Sequence, residues 1–234
     1  MSFREQCQVV LTHPMSFLVK IWDEFQAKRL TKTVLPYTLV GPERIRNLHR
    51  LACYIERERI PGDVVECGVC NGGTAAVLAR SATRSPLSRT IWLFDSFQGM
   101  PNVTEHDETG GGRETAQSHI GKEVGDIERV KEVLMLARAD MRRVRIVPGW
   151  FLDTFPGARI ERIAILNIDA DWYESVRLCL DTFYDRVVPG GFVSFDDYGH
   201  WPGCRKAVDE FFEARQLTYK LHQVDYTARW FQKK

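Results

Sequence analysis

The strongest constraint on this chain is an alternation of short, mostly apolar runs with longer segments of helical period. Residues 63–67, 90–94, 144–147, 163–168 and 192–195 are apolar on neighbouring positions rather than on every second one. That is the pattern of strands covered on both faces. Between them, residues 74–82, 126–138 and 173–188 read as helices, with Val130, Val133, Leu134 and Ala137 on one face of the second and Val176, Leu180 and Phe183 on one face of the third. Strands that alternate with helices imply a parallel sheet with a helical layer on each side. After a helix over 203–215, the alternating runs 218–224 and 226–231 are joined too tightly for a crossover helix and read as an antiparallel hairpin on the sheet's edge.

With 234 residues, one large domain is expected. We place it over residues 37–234. Ahead of it, residues 1–36 form a helical extension in which Phe17, Leu18, Ile21, Trp22 and Phe25 recur at near-helical spacing. A lid or a homodimer (or higher homo-oligomer) contact would both use such a helix. Pro42 suits a first helical position, and Ile45, Leu48, Ala52 and Ile55 then make one stripe that Pro61 and Gly62 end near Ile60. Residues 97–122 fit neither period and contain Gly110, Gly111 and Gly112, which makes them a long loop, either disordered or a lid.

Charge and composition exclude several partners. Lys and Arg total 32 against 31 Asp and Glu, so no polyanion attraction to nucleic acid is expected. No apolar run approaches the roughly 20 residues of a membrane span. The stretch from Val9 to Trp22 is broken by His13, Pro14 and Lys20, so we expect no signal peptide. Cys7, Cys53, Cys67, Cys70, Cys179 and Cys204 are scattered as free thiols would be, in keeping with a reducing cytoplasm. Cys67 and Cys70 form a lone CxxC that the turn around them already accounts for.

Two sites stand out. Residues 66–74, Glu-Cys-Gly-Val-Cys-Asn-Gly-Gly-Thr, follow a strand and open a helix, where glycines let a ligand approach the backbone and the helix N-terminus. The dinucleotide GxGxxG is absent, and the next strand ends in Asp95, where an acid can take ribose hydroxyls. This favours an adenosyl ligand over a dinucleotide, and leaves a nicotinamide-dependent oxidoreductase as the alternative enzyme and a non-catalytic binding protein as the other alternative. The second site is acidic: the strand at 163–168 runs into Asp169 and Asp171, and that at 192–195 into Asp196 and Asp197. Acids gathered at the C-terminal edge repel one another and call for a counter-cation. Oxygen-only ligands point to Mg²⁺ or Ca²⁺. We expect Asp171 to serve instead as a helix N-cap. His106, His119 and His200 are possible proton acceptors, though a lone loop histidine is more often solvated or structural. Trp150, Trp172, Tyr173, Tyr198 and Trp201 lie near the same edge, for stacking or for packing.

The runs VVECGVCNGGT (64–74), LFDSFQGMP (93–101), GWFLDTFP (149–156), LNIDADWYES (166–175) and PGGFVSFDDYGHWPGCRKAV (189–208), with YTLVGPERIRN (37–47) ahead of them, together resemble the macrocin O-methyltransferase family. Ala170 stands where that family's form has Gly. The resemblance implies a Rossmann-like class I methyltransferase fold with a mostly parallel seven-stranded sheet, and a Mg²⁺-assisted (or other divalent cation) transfer of methyl from S-adenosyl-L-methionine to a hydroxyl of a small-molecule acceptor such as a secondary-metabolite sugar. It implies Asp169 as metal ligand and general base, with Asp196 and Asp197 completing the metal site. Glu66, Gly68 and Asp95 would line the S-adenosylmethionine site with Asn71, Gly73, Gly149 and Trp150, Ser96 beside the ribose, and Tyr37 and Thr38 near the methionine end.

Overall fold

A computed structural model describes residues 16–83, 85–107 and 116–234, with side chains from residue 24 onward. Cys7, the loop glycines 110–112 and the side chains of Phe17, Leu18, Ile21 and Trp22 lie outside the described residues. The strands are β1 (Asp63–Cys67), β2 (Ile91–Asp95), β3 (Val144–Pro148), β4 (Ile163–Ile168), β5 (Val187–Phe195), β6 (His222–Gln223) and β7 (Arg229–Gln232). They form one sheet in the order β3-β2-β1-β4-β5-β7-β6. All pairs are parallel except β5 with β7 and β7 with β6. The C-terminal hairpin is present but shorter than its alternating pattern, and β7 sits inside the sheet with only β6 at the edge.

Helices α1 (Ser16–Val34), α2 (Pro42–Arg57), α3 (Gly73–Ala82) and α4 (Ile127–Leu136) cover one face, and α5 (Phe151–Thr154), α6 (Tyr173–Phe183) and α7 (Pro202–Ala214) cover the other. The strands divide their side chains accordingly. Val64 and Ile165 pack with Ile45, Leu48, Val77 and Val133 on the first face. Val65, Leu166 and Val193 pack with Val176, Phe183, Val208 and Phe211 on the second. β4 is buried at every position, as a central strand must be. From Leu30 onward α1 belongs to the first core cluster and lies against α2, α3 and α4.

Helix ends follow local chemistry. α2 starts with Pro42 at its first position and stops at Arg57, short of Pro61, because Arg59 turns left-handed at φ 52°. Arg89, only 1% exposed, plugs that end by donating to the carbonyls of Ile55, Ile60 and Gly62 and pairing with Glu56. α4 is capped by Asp126, which accepts from the Glu128 amide. α6 ends at Phe183 rather than running to Val188, because β5 already begins at Val187, paired with Ile163. The register then shifts between Ile163 and Ile165, and Gly190 at φ 84° lets the strand accommodate it.

Candidate active site

In an open α/β sheet ligands bind at the C-terminal edge where the strand order reverses, here between β1 and β4. Three backbone bonds fix the edge: the Gly68 amide donates to Phe94, Asp169 to Cys67 at 2.8 Å, and Asp196 to Ile168 at 2.9 Å. Gly68 has φ 90°, and a Cβ there would lie 1.7 Å from the Asp169 carbonyl oxygen. Only glycine lets the turn after β1 close against the backbone of the acid that follows β4.

Asp95 holds the Gly-rich turn together. One carboxylate oxygen accepts from the amides of Val69 (2.7 Å) and Cys70 (2.8 Å), and the other from Phe97 (2.7 Å). This compensates for Cys70 standing at φ 48°. A carboxylate offers about four acceptor positions, so Asp95 retains room for one further donor. Gly72 caps α3 in a left-handed conformation with no side-chain cap, leaving the first amides of the helix for other acceptors. A Cβ on Gly73 would lie 2.5 Å from that of Thr38, so residues 37–38 are laid directly over this helix start. Tyr37 is fixed by Arg129, 5.1 Å from its ring, and by Glu132, which with burial pushes its hydroxyl pKa up.

Glu66 is fully buried. In the register of the sheet it stands beside Asn167, which stands beside Ser194, forming a polar row under the edge. The Asn167 amide donates to Glu66 Oε1 at 2.9 Å, whereas Oε2 has no hydrogen-bond partner among the described residues. Burial pushes the Glu66 carboxyl up to about 8, against the neighbouring Thr74 and Asn167, which favour its ionised form. Other expected cofactor residues are engaged locally. Ser96 donates to the Gly99 carbonyl and accepts from Gln98, Asn71 accepts from Asp126 at 3.3 Å, and Gly149 donates to the Asp95 carbonyl. Trp150 is the N-cap residue of α5 and is 36% exposed.

At the acid edge, Asp169, Asp171 and Asp197 each offer an oxygen within 4.8 Å of the others. Asp197 Oδ2 is buried with no hydrogen-bond partner among the described residues, while Asp169 and Asp171 keep an open side. Burial and the neighbouring carboxylates push Asp169 and Asp197 well up. Asp171 is pushed up to about 7 by burial and Asp196, against a bond to Trp201 that lowers it. Asp196 forms an ion pair with Arg44 of α2 and lies close enough to the trio for its charge to raise Asp169 and Asp171. Arg44 also reaches Asp225, in the turn between β6 and β7, at 3.0 Å.

One sequence expectation changes here. Asp171 does not cap α6; it joins the acid trio at φ 54°. The α6 cap is Asp107, 1% exposed, which accepts from the Tyr173 amide at 2.8 Å and from the amide and hydroxyl of Thr104, each at 2.9 Å. The distance of 66 residues between them hid this cap from the sequence. The aromatic residues divide: Trp172 packs at 1% exposure, with its indole donating to the Pro101 carbonyl, and Trp201 packs edge-on to it at 4.9 Å. Of the histidines, His106 packs on Tyr173 at 4.2 Å, His119 lies 3.5 Å from Glu123, and His200 is exposed against Trp201.

Residues 18–233 match the family described as Macrocin-O-methyltransferase (TylF). The chain is 35% identical over 210 residues to demethyldecarbamoylnovobiocin O-methyltransferase of Streptomyces niveus, covering 84% of this chain and 76% of that enzyme. It is 34% identical over 197 residues to mycinamicin III 3''-O-methyltransferase of Micromonospora griseorubida, covering 81% and 75%. The solved structure of the O-methyltransferase NovP superposes with a TM-score of 0.79 at 29% identity, over 92% of this chain and 99% of that one. With the sheet order and the acid edge already in place, these likenesses show that the chain belongs to the macrocin O-methyltransferase family and is an O-methyltransferase.

Proposed function

We propose that the chain moves a methyl group from S-adenosyl-L-methionine to a hydroxyl of a natural-product sugar, assisted by a divalent cation such as Mg²⁺. The observation that carries this reading is the convergence of Asp169, Asp171 and Asp197 beside the Gly-rich turn, in a chain whose relatives are named for methylating novobiocin- and mycinamicin-type compounds. Both absent groups fit the residues present. An all-oxygen donor set with an unpartnered buried Asp197 Oδ2 suits a hard cation. The uncapped α3 start under Tyr37 and Thr38 suits a carboxylate, and the unpartnered Glu66 Oε2 suits an ammonium. When bound, the cofactor supplies a methyl on a good leaving group, and the cation supplies positive charge that favours the ionised acceptor hydroxyl.

The chain's own residues do the rest. Asp169, Asp171 and Asp197 would hold the cation. Glu66 and residues 37–38 fix the amino-acid end of the cofactor, and Asp95, with one acceptor position left, takes one ribose hydroxyl. The acceptor's proton goes to an acid of this edge, Asp169 or Asp171, both of which keep an open side. Trp172 and Trp201 wall the trio with packed indoles, which limits water on that side. The test is Asp197→Asn, assayed with labelled S-adenosylmethionine and demethylated sugar-bearing acceptors. Methyl transfer should fall by at least about 10²-fold while cofactor binding by dialysis persists. An unchanged rate, or full activity after exhaustive chelation, would refute the metal-assisted reading.

A further inference from the structure

We infer that Arg129 of α4 is a positioning residue for the amino-acid end of the cofactor: it ties residues 35–38 down as a strap over the start of α3 and so sets the affinity for that end. The inference rests on the proposed S-adenosylmethionine reading. The strap is anchored by the core at its two ends and by Arg129 in its middle. Val34 and Val40 are buried in the first core cluster, whereas Leu35, Pro36 and Leu39 between them are exposed. The chain makes one 3₁₀ turn over Leu35–Tyr37 and is extended at Thr38.

Arg129 holds this middle part twice. Its guanidinium donates to the Pro36 carbonyl at 2.9 Å and lies 5.1 Å from the centre of the Tyr37 ring. A planar guanidinium can stack on a ring and donate in its own plane at once, which an ammonium does less well. Beneath the strap there is little room to spare: a Cβ on Gly73 would lie 2.5 Å from that of Thr38 and 3.0 Å from the Tyr37 carbonyl oxygen. A small shift of the strap therefore changes the space it shares with the first amides of α3. Thr38 Oγ1 accepts from the Val40 amide at 3.2 Å, which leaves its hydroxyl proton for an acceptor at this place. The helix that carries Arg129 also rests on the Gly-rich turn. A Cβ on Gly125 would overlap the Cys70 carbonyl, one on Gly72 would lie 3.0 Å from the Val130 Cα, and the Asp126 amide donates to Asn71 at 3.3 Å. The start of α4 thus supports both walls around the start of α3. The charge of Arg129 is felt as far as Cys70, so the test has to separate position from charge.

The test is ligand binding to the full chain by calorimetry, with no turnover involved. Two probes are used: S-adenosylhomocysteine, and 5′-methylthioadenosine, which lacks the amino-acid end and is read by displacement. Arg129→Met should weaken S-adenosylhomocysteine at least about fivefold and 5′-methylthioadenosine by less than about twofold. Arg129 is exposed, so the melting temperature should stay close to the parent's, and Arg129→Gln should repeat the pattern. The selective loss should persist at about 0.5 M salt, where charge is screened beyond about 4 Å. Equal affinity of parent and variants for S-adenosylhomocysteine, an equal loss for both probes, or a loss that disappears in salt overturns the proposal and leaves the cofactor reading intact. A parent that binds neither probe overturns both.

Discussion

Glu66→Gln isolates the cost of the buried carboxyl under the site. The side chain is nearly isosteric, and its amide oxygen can still accept from Asn167, which now bonds Oε1 at 2.9 Å. What changes is titration. The Glu66 carboxyl is raised from 4.5 to about 8 by burial. A group whose folded pKa is raised contributes stability that is fully present below the unfolded pKa and lost as pH rises through the folded one. Between about pH 6 and about pH 9 this single group should remove about 3 kcal/mol from the ligand-free protein, a large part of the ~5–15 kcal/mol typical of a domain. The other raised acids, Asp169, Asp171 and Asp197, add losses of the same sign, so the informative quantity is the difference between the two proteins. Urea unfolding followed by tryptophan fluorescence at both pH values measures it. The Gln variant should lose about 3 kcal/mol less than the parent across the interval, at unchanged urea dependence. Parallel losses in the two proteins would show that Glu66 is ionised in the fold across the whole range, and the argument from its burial would collapse.

Other substitutions test the surrounding framework. Arg89→Met removes a buried cation from three carbonyls and Glu56 and should cost about 3–5 kcal/mol in urea unfolding; a cost below about 1 kcal/mol contradicts the plug. Gly68→Ala places a Cβ 1.7 Å from the Asp169 carbonyl oxygen at φ 90°, so both melting temperature and Mn²⁺ affinity should fall, and a variant that keeps both disproves the close approach. Asp107→Ala removes the distant α6 cap and should cost about 1–2 kcal/mol, while Asp107→Asn, which keeps an acceptor oxygen, recovers most of that cost by the same unfolding measurement.

What the sequence makes legible is what neighbouring residues decide. β1 and β4 have the limits their apolar runs predict, and Asp95, Asp169, Asp196 and Asp197 arrive at one edge because each directly ends or follows a strand. Features set by distant partners are hidden. Val187 and Val188 continue the helical pattern of α6, yet Val187 finds Ile163 across the sheet and starts a strand. Asp171 has the position of a cap, but Asp107 arrives from the 97–122 loop and takes that role. Asp196 and Asp197 look alike in sequence and differ only because Arg44, 152 residues away, reaches one of them. Glu66 and Asn167 become partners only through the register of β1 with β4.

The Arg44–Asp196–Asp225 bridge also bears on how the molecule assembles. Its three members come from the second helix, the end of β5 and the β6–β7 turn, and β7 must pair with Phe192–Phe195 before that turn is in place. Closing a contact across so much chain is entropically slow. During folding, the acids at the ends of β4 and β5 are therefore brought together by short-range strand pairing before their own cation arrives. They repel one another in that interval, so refolding should be slowest in low salt and should speed up as counter-ions take the place Arg44 later fills. A refolding rate that does not change with salt would refute this order of events.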